Sequence, residues 1–311
     1  LTGKDRTFKT LKKKGYYNTE KERNNLEKEK ITTNWKSKLY NYILENYLRT
    51  PDRFWTWERS AVKMAESIIK KYQIEIIYTT CLPLTTNRIG IKLKKKCNVK
   101  WVADFRDPIN YAKKLYSSVG KVYIEQLKIQ KETFEYADKV TTLSSSYKMI
   151  FHDQYLGKYD SKMNFIPTGL DDDYLINDND NIEDENYIVF VGEYLKEYGD
   201  LFIQKYAEAI KIMPEGKIFK FKIIGNKNIN SKVLNKSIDK FGLNNAIELI
   251  DHLPQKELYE IINTSKAAVL IPGFQAHWWN NFAKLVDYIA LQKPVLAMVP
   301  SISEARSELS K

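Results

Sequence analysis

Three charged residues occur within four positions at the end of a largely apolar segment in the first half of the chain. Asp104, Arg106 and Asp107 follow the segment 99–103, and Pro108 then prevents a strand from continuing. In an open parallel sheet, ligands bind beyond the carboxyl ends of the strands, so these residues are candidate catalytic groups. The alternative is a local salt bridge, in which Arg106 pairs with Asp104 or Asp107 and takes no part in chemistry.

A polar loop near residue 280 is a second candidate site. It follows the predicted strand 267–271, carries His277, Asn280 and Asn281, and leads into a helix predicted to begin near Asn281. The free amides and the positive dipole at the start of a helix favour a bound anion. We expect Asn280 or Asn281 to supply a hydrogen-bond donor there, whereas His277 either contacts the ligand or is a bystander.

Two charged residues on this helix could bind different parts of one ligand. Lys284 lies in the first predicted turn and Asp287 lies three residues later, so both share one face of the helix. The ammonium group suits a phosphate, and the carboxylate suits a ribose or sugar hydroxyl. An ion pair between these two residues on a solvated helix is the alternative.

A glycine directly after a predicted strand is a third candidate. Gly192 follows the strand 187–191, and Lys196 is the nearest cation after it. Glycine lets a phosphate approach the backbone amides of a loop. A single glycine, without the rest of a Gly-x-Gly-x-x-Gly pattern, is equally consistent with an ordinary strand-to-helix turn.

Strands and helices alternate along most of the chain. Strands are predicted over 74–80, 99–105, 139–143, 162–167, 187–191, 219–224, 247–250, 267–271 and 295–299. Helices are predicted over 84–96, 121–137, 201–212, 231–241, 256–263 and 282–291, and Ser144 to Ser146 read as the cap of another. This alternation predicts βαβ units, parallel sheets and therefore the α/β class.

The length of 311 residues predicts about two domains. We expect an N-terminal domain over 1–170, an acidic linker over 171–186 and a C-terminal domain over 187–311, both Rossmann-like. The chain begins without methionine, in what reads as the end of a strand, and it stops inside a helix predicted to start near Ser303. We therefore expect that both ends are truncated.

Composition excludes several classes of protein. Apolar residues make up 43% and charged residues 29%, and no run of 18 apolar residues suggests a membrane span. The spacing of Cys81 and Cys97, without a Cys-x-x-Cys pattern or a nearby histidine, argues against a zinc site or a disulfide scaffold. We expect free thiols in a reducing, cytoplasmic compartment.

The net charge of +11 is uneven, with 13 basic and 6 acidic residues over 1–50 and eight acidic residues over 171–185. A basic face suits an anionic partner, although a solvated lysine-rich surface has the same composition. The aromatic, basic helix predicted over 34–49 could rest on a membrane surface or simply pack on the core.

Several segments taken together resemble a known family. They are WVADFRDP at 101–108, IPTGLD at 166–171, FVG at 190–192, Leu253-Pro254 with Leu258, and KLVDY at 284–288 ahead of KPVL at 293–296. In this order and spacing they resemble the family 4 glycosyltransferases of the GT-B fold, especially bacterial members that build surface polysaccharides. The likeness spans about residues 51–305.

The resemblance implies retaining transfer of a sugar from a nucleotide-sugar donor to a glycan or lipid-linked acceptor, without a metal or other cofactor. The donor would lie on the C-terminal domain and the acceptor on the N-terminal domain. Arg106 and Asp107 would shape the reaction centre, Lys284 would neutralise the leaving diphosphate, and Asp287 would accept hydrogen bonds from the ribose. In this setting Asp104 belongs to the catalytic set, and Gly192, Lys196, His277 and Asn281 belong to the donor set.

The chain departs from the family pattern at the donor motif. The family carries two glutamates eight positions apart on this segment, where the chain has Trp279 and Asp287. Many relatives also place a basic residue just after the Phe-Val-Gly strand, where the chain has Glu193 first and Lys196 next. Arg106 stands where many relatives carry a histidine.

Two other functions remain open from the sequence. A sugar-nucleotide epimerase or hydrolase would share the architecture but needs an acid and base set, which three histidines supply poorly. A non-catalytic protein that binds anions or nucleic acid would suit the net charge, but no known nucleic-acid-binding motif is present and the acidic linker interrupts a basic track. We therefore expect a nucleotide-sugar partner and no nucleic acid, with membrane contact through the basic N-terminal domain as an additional possibility.

Overall fold

The computed structural model describes residues 35–48, 50–109, 120–170, 185–214, 219–271, 278–280 and 282–310. They form two separate parallel sheets flanked by helices. The α/β class predicted from the alternation of strands and helices is confirmed.

The first unit is built on four parallel strands in the order β1-β2-β3-β4. The strands are β1 (Ile76–Cys81), β2 (Lys100–Phe105), β3 (Lys139–Thr142) and β4 (Met163–Phe165). The helices are α1 (Trp35–Ile43), α2 (Glu58–Tyr72), α3 (Thr85–Cys97), α4 (Gly120–Tyr136) and α5 (Ser145–Tyr155). A π-helical turn, Leu44–Leu48, follows α1, and a 3₁₀ turn, Trp55–Trp57, precedes α2.

The second unit is built on five parallel strands in the order β7-β6-β5-β8-β9. The strands are β5 (Tyr187–Val191), β6 (Lys220–Ile224), β7 (Ile247–Ile250), β8 (Ala267–Leu270) and β9 (Val295–Ala297). The helices are α6 (Leu201–Ile212), α7 (Lys227–Phe241), α8 (Gln255–Thr264), α9 (Ala283–Ala290) and α10 (Glu304–Leu309). The strand order reverses at β5, which places a topological switch point between β5 and β8.

Each sheet has its own apolar core. In the first unit Phe105 on β2 stacks on Phe134 of α4, with ring centroids 5.5 Å apart, and Phe151 of α5 packs edge-on against both. In the second unit Phe190 and Phe221 are fully buried on adjacent strands. Because each core fills the space between a sheet and its helices, the carboxyl ends of the strands are left to carry polar groups.

Local capping explains where several elements begin. The Ser144 hydroxyl accepts a hydrogen bond from the Tyr147 N–H at the start of α5, as the serine cluster predicted. The Asn226 side chain accepts one from the Ile229 N–H, so α7 begins at Lys227 rather than near 231. The helix α9 begins at Ala283, within two residues of the predicted start at 281–282.

Two predicted elements differ more clearly in extent. The strand predicted over 162–167 is only β4, since Lys162 belongs to a 3₁₀ turn and Pro167 lacks an N–H for the ladder. The helix predicted over 34–49 is divided into α1 and the π-helical turn. Most of the predicted acidic linker lies outside the described residues, so the domain boundary stays a prediction.

The two units contact each other through the C-terminal part of the chain. Trp279 is 3% exposed and lies in the apolar core of the first unit, where its ring centroid is 5.3 Å from that of Tyr147. The Ser144 hydroxyl donates to the Trp279 carbonyl at 2.9 Å. A buried carboxylate, Glu304, accepts hydrogen bonds from the backbone N–H groups of Ser145 and Ser146. These contacts join α10 and the segment before α9 to the start of α5.

Among the helices in the described ranges, none combines the length and the apolar composition needed to cross a membrane.

Candidate functional site

The buried carboxylate of Asp104 lies at the end of β2 and connects three strands. It accepts hydrogen bonds from Thr80 Oγ1 on β1 at 2.9 Å and from Thr141 Oγ1 on β3 at 2.7 Å. The register explains the arrangement, because these two residues face Asp104 across the parallel ladders. With 4% exposure, Asp104 holds the ends of the strands together, and its distance from solvent suits a positioning role.

The next two charged residues differ in exposure, since Arg106 is exposed and Asp107 is half-buried. The Arg106 side chain is exposed, and its backbone carbonyl accepts a hydrogen bond from the Tyr147 hydroxyl at 2.8 Å. Burial raises the pKa of Asp107 to about 6, although the nearby Arg106 guanidinium lowers it. Arg106 forms no ion pair with Asp104 or Asp107. Neither of the two Arg106 salt bridges that the sequence left open is therefore formed.

The ends of β5 and β6 approach each other through two glycines. Gly192 follows β5 with φ +121° and donates its N–H to the Ile224 carbonyl at 2.7 Å. A Cβ added to Gly225, directly after β6, would lie 2.4 Å from the Gly192 carbonyl oxygen. A side chain cannot be accommodated at Gly225 without moving backbone, and the φ value at Gly192 favours glycine.

An asparagine on α7 fixes the loop that starts at Gly192. Asn230 is fully buried, accepts a hydrogen bond from the Tyr194 N–H at 2.7 Å and donates one to the Gly192 carbonyl at 3.3 Å. One side chain therefore holds two backbone groups of the loop in a fixed conformation. A preorganised loop of this kind can present amides to an anion without an ordering cost.

Lys284 lies against the same loop. Its Nζ is 4.1 Å from the centroid of the Phe190 ring and 3.2 Å from the position that a Cβ on Gly192 would occupy. Burial lowers the pKa of Lys284 to about 8. Within the described residues it has no carboxylate partner, so the Lys284–Asp287 ion pair left open by the sequence does not form. A half-buried ammonium group beside a glycine loop is a suitable counter-charge for a phosphate.

Asp287 has a different partner on a neighbouring helix. The Tyr259 hydroxyl of α8 donates to Asp287 Oδ1 at 2.7 Å. Burial raises the pKa of Asp287, and the hydrogen bond from Tyr259 opposes that rise. Asp287 and Lys284 lie one turn apart on α9, so a ligand that reaches both meets first a cation and then a hydrogen-bond acceptor.

The position of α9 beside β5 and β8 explains why these residues converge. The Val191 N–H donates to the Tyr288 hydroxyl at 3.2 Å, and Tyr288 is fully buried. The helix thus lies against the end of β5, at the reversal of strand order where open α/β sheets bind their ligands. The structure brings Gly192 and Lys284 together at this switch point.

Of the remaining predicted site residues, the structure describes Lys196 and Asn280 only. Lys196 is exposed on a 3₁₀ turn, and Asn280 is half-buried before α9. His277 and Asn281 lie outside the described residues, so their predicted roles stay predictions. Within the described ranges, no group of three or more His, Cys, Asp or Glu side chains is placed to hold a metal ion.

Sequence reasoning missed three residues that shape these sites: Tyr259, Asn230 and Glu304. Each acts over a long sequence separation, from 28 residues for Tyr259 and Asp287 to 159 for Glu304 and Ser145. No local pattern marks such pairs. The available signal for a contact between the units was the aromatic pair Trp278 and Trp279, in a loop predicted to carry both polar and aromatic groups.

Comparison with solved structures defines the class of fold. A sucrose-phosphate synthase from Thermosynechococcus elongatus superposes with a TM-score of 0.58 at 14% identity, over 86% of this chain and 71% of that one. Anabaena HepE, in complex with UDP and glucose, gives a TM-score of 0.57 at 14% identity, over 82% and 65%. A glycosyltransferase from Rickettsia africae gives 0.54 at 17% identity, over 80% and 64%.

These similarities show that the chain has the GT-B fold, with two Rossmann-like domains. The chain spans slightly less than two thirds of the length of the Anabaena and Rickettsia structures. No protein-family model matches the chain, and no curated protein matches it in sequence.

Proposed function

We propose that the chain transfers a sugar from a nucleotide-sugar donor to an acceptor, as a glycosyltransferase. The observation that carries this proposal is the pairing of Gly192 and Lys284 at the switch point of the second sheet. A backbone loop held open by glycine, with an ammonium group beside it, suits the diphosphate of a nucleotide donor. The solved structures of similar fold include one with bound UDP, which supports uridine nucleotides as the first donors to test.

The donor would lie on the second unit. Lys284 neutralises the charge that develops on the departing diphosphate as the bond between the anomeric carbon and the phosphate oxygen breaks. Asp287, held by Tyr259, accepts hydrogen bonds from the ribose hydroxyls. Lys196, His277 and Asn281 complete the proposed donor set.

The acceptor would lie on the first unit, near the end of β2. Arg106 and Asp107 shape the reaction centre, and Asp104 positions them through its bonds to the neighbouring strands. The acceptor hydroxyl forms the new bond to the anomeric carbon and gives up its proton. The pKa of Asp107, about 6, supports a role for its carboxylate in that proton transfer at neutral pH.

Several finer properties are part of the same proposal. We assign the chain to the family 4-like group, with retention at the anomeric carbon and no metal or other cofactor. The acceptor is a glycan or a lipid-linked sugar in the synthesis of a bacterial cell-surface polysaccharide. The location is cytoplasmic, with peripheral contact at the inner face of the cell membrane.

The test is release of UDP from a panel of UDP-sugars, with and without glycan and lipid-linked acceptors. We expect release to depend on an acceptor and to fall at least about tenfold in Arg106→Ala and in Lys284→Ala, which corresponds to about 1.4 kcal/mol of transition-state stabilisation. Glu257→Ala, an exposed change on α8, is the control. Turnover without any acceptor would favour the hydrolase or epimerase alternative, and normal rates in both variants would remove the site assignment.

A further inference from the structure

The backbone at Arg106 is held from two sides just beyond the end of β2. Its N–H donates to the Cys81 carbonyl, at the end of β1, over 3.3 Å, which is long for a hydrogen bond between amides. Its carbonyl accepts the hydroxyl of Tyr147, from the first turn of α5, at 2.8 Å. Since the bond from Tyr147 is the shorter of the two, the path of the chain into Asp107 depends strongly on the position of that hydroxyl.

Tyr147 is itself fixed by its surroundings. It is 1% exposed, and its ring centroid lies 5.3 Å from that of Trp279, with the ring planes at 55°. The Tyr147 N–H donates to the hydroxyl oxygen of Ser144, and the same hydroxyl donates to the Trp279 carbonyl at 2.9 Å. Because two side-chain torsions place the ring of a tyrosine, close packing of that ring leaves the hydroxyl oxygen little freedom.

Trp279 connects Tyr147 to the helix that carries the proposed phosphate contact. It lies five residues before Lys284, and α9 begins at Ala283. Tyr147 therefore contacts both halves of the proposed site. Its hydroxyl holds the backbone of Arg106 on the first unit, and its ring packs on the segment that leads into α9 on the second.

We propose that Tyr147 is a positioning residue for the transfer reaction, and that its hydroxyl fixes the backbone at Arg106 so that Arg106 and Asp107 face the sugar of a donor bound at α9. This inference rests on the proposed function and adds to it a residue that touches neither substrate. A displacement of about 1 Å at a reaction centre can cost roughly 100-fold in rate. The affinity for the nucleotide depends on contacts that Tyr147 does not make, so its hydroxyl should affect transfer and not nucleotide binding.

The second unit supplies a matched control, Tyr187. Its hydroxyl also donates to a backbone carbonyl, that of Ile261, at 2.7 Å, and its side chain is also buried. Tyr187 is the first residue of β5, at the opposite end of this strand from the Gly192 loop. Tyr147→Phe and Tyr187→Phe each remove one such O–H and keep the ring, so both should lower the stability of the fold by a similar amount.

The test is steady-state kinetics of acceptor-dependent UDP release by the full chain, with calorimetric titration of UDP alongside. In Tyr147→Phe, kcat should fall about tenfold, while KM for the donor and Kd for UDP should change less than about twofold. Tyr187→Phe should retain kcat within about twofold. An unchanged kcat in Tyr147→Phe, equal falls in both variants, or a loss of kcat/KM that comes from KM alone would overturn the proposal.

Hydrogen exchange of the unliganded chain tests the same contact without turnover. Tyr147→Phe should speed exchange of the Arg106 and Asp107 amides at least about fivefold, because the backbone loses one of the two bonds described above, and Tyr187→Phe should leave them unchanged. Equal exchange in Tyr147→Phe and the unmodified chain would overturn the proposal, whether or not any donor is turned over. If the predicted change in exchange occurs but the unmodified chain releases no UDP, the proposed function fails and the positioning of Arg106 by Tyr147 stands.

Discussion

Lys284 illustrates how a single residue acquires its properties from its surroundings. Its ammonium group faces the ring of Phe190 and the glycine loop, without a carboxylate partner among the described residues. Burial without an ion pair penalises the charged form, which is why its pKa falls from 10.5 to about 8. A bound diphosphate supplies the missing negative charge and therefore favours the protonated form.

This arrangement predicts a specific pH dependence of nucleotide binding. The affinity for UDP should be nearly constant from pH 7 to 8 and then fall by up to tenfold per pH unit, as free Lys284 loses its proton. In Lys284→Arg the guanidinium stays charged, so the decline between pH 8 and 10 should disappear. Calorimetric titration over this range measures both profiles. A flat profile in the unmodified chain would contradict the role given to Lys284.

The lowered pKa of Lys284 also determines how the stability of the fold depends on pH. A lysine whose folded-state pKa lies below its unfolded value binds fewer protons in the native state. The free energy of unfolding should therefore rise with pH between about 8 and 10.5 through this residue.

The ends of β5 and β6 pack with the backbones of Gly192 and Gly225 in close contact. Gly225→Ala should lower the free energy of unfolding by about 1–3 kcal/mol and abolish UDP binding, because the new Cβ would lie 2.4 Å from the Gly192 carbonyl oxygen. The control is Gly169→Ala, where no atom lies within 4 Å of the added Cβ, and which should cost less than about 0.5 kcal/mol. Thermal unfolding and UDP titration check both variants, and equal behaviour of the two would refute the packing argument.

Most strands and helices could be predicted from the sequence because their signals are local. The predicted bounds of β5, β7 and α6 agree with those of the structure. Strand ends were also marked locally, since Gly192 directly follows β5 and Pro108 comes three residues after the end of β2. The order of strands in each sheet and the reversal at β5 depend on tertiary packing, which no local pattern encodes.

In the candidate sites, too, local features could be predicted from the sequence and tertiary contacts could not. The residue types near β2 and α9 were recognisable, but their partners were not. Tyr259 holds Asp287 from another helix, and Asn230 holds the Gly192 loop from a third. Each contact joins residues that are distant in sequence, so only the folded chain brings them together.

Trp279 follows β8 of the second sheet in the chain but lies in the core of the first unit. Where the resemblance leads one to expect an acidic residue, this tryptophan is buried in the first unit beside Tyr147. The Tyr147 hydroxyl in turn holds the carbonyl of Arg106. The segment that leads into α9 is therefore linked, through two side chains, to the proposed reaction centre on the other unit.

Glu304 supplies a second link between the units. Glu304→Ala should cost about 3 kcal/mol of stability, because it leaves the buried N–H and hydroxyl of Ser146, and the N–H of Ser145, without an acceptor. Glu248→Ala, at an exposed site on β7, is the control and should be nearly neutral. Chemical denaturation measures the difference, and limited proteolysis should detect earlier cleavage around α10 only in the first variant. Equal stability of the two variants would show that this contact does not hold the units together.

The most direct measurement is calorimetric titration of the chain with UDP at pH 7.5, alongside GDP, ADP and CMP. The account predicts saturable binding of one nucleoside diphosphate, weakened at least about tenfold in Lys284→Met, which preserves packing on Phe190 but removes the charge. The control Lys256→Met, at an exposed site on α8, should bind as the unmodified chain does. Absence of binding by every nucleotide to the folded chain, or unchanged affinity in Lys284→Met, would contradict the claim that the switch point of the second sheet is a donor site.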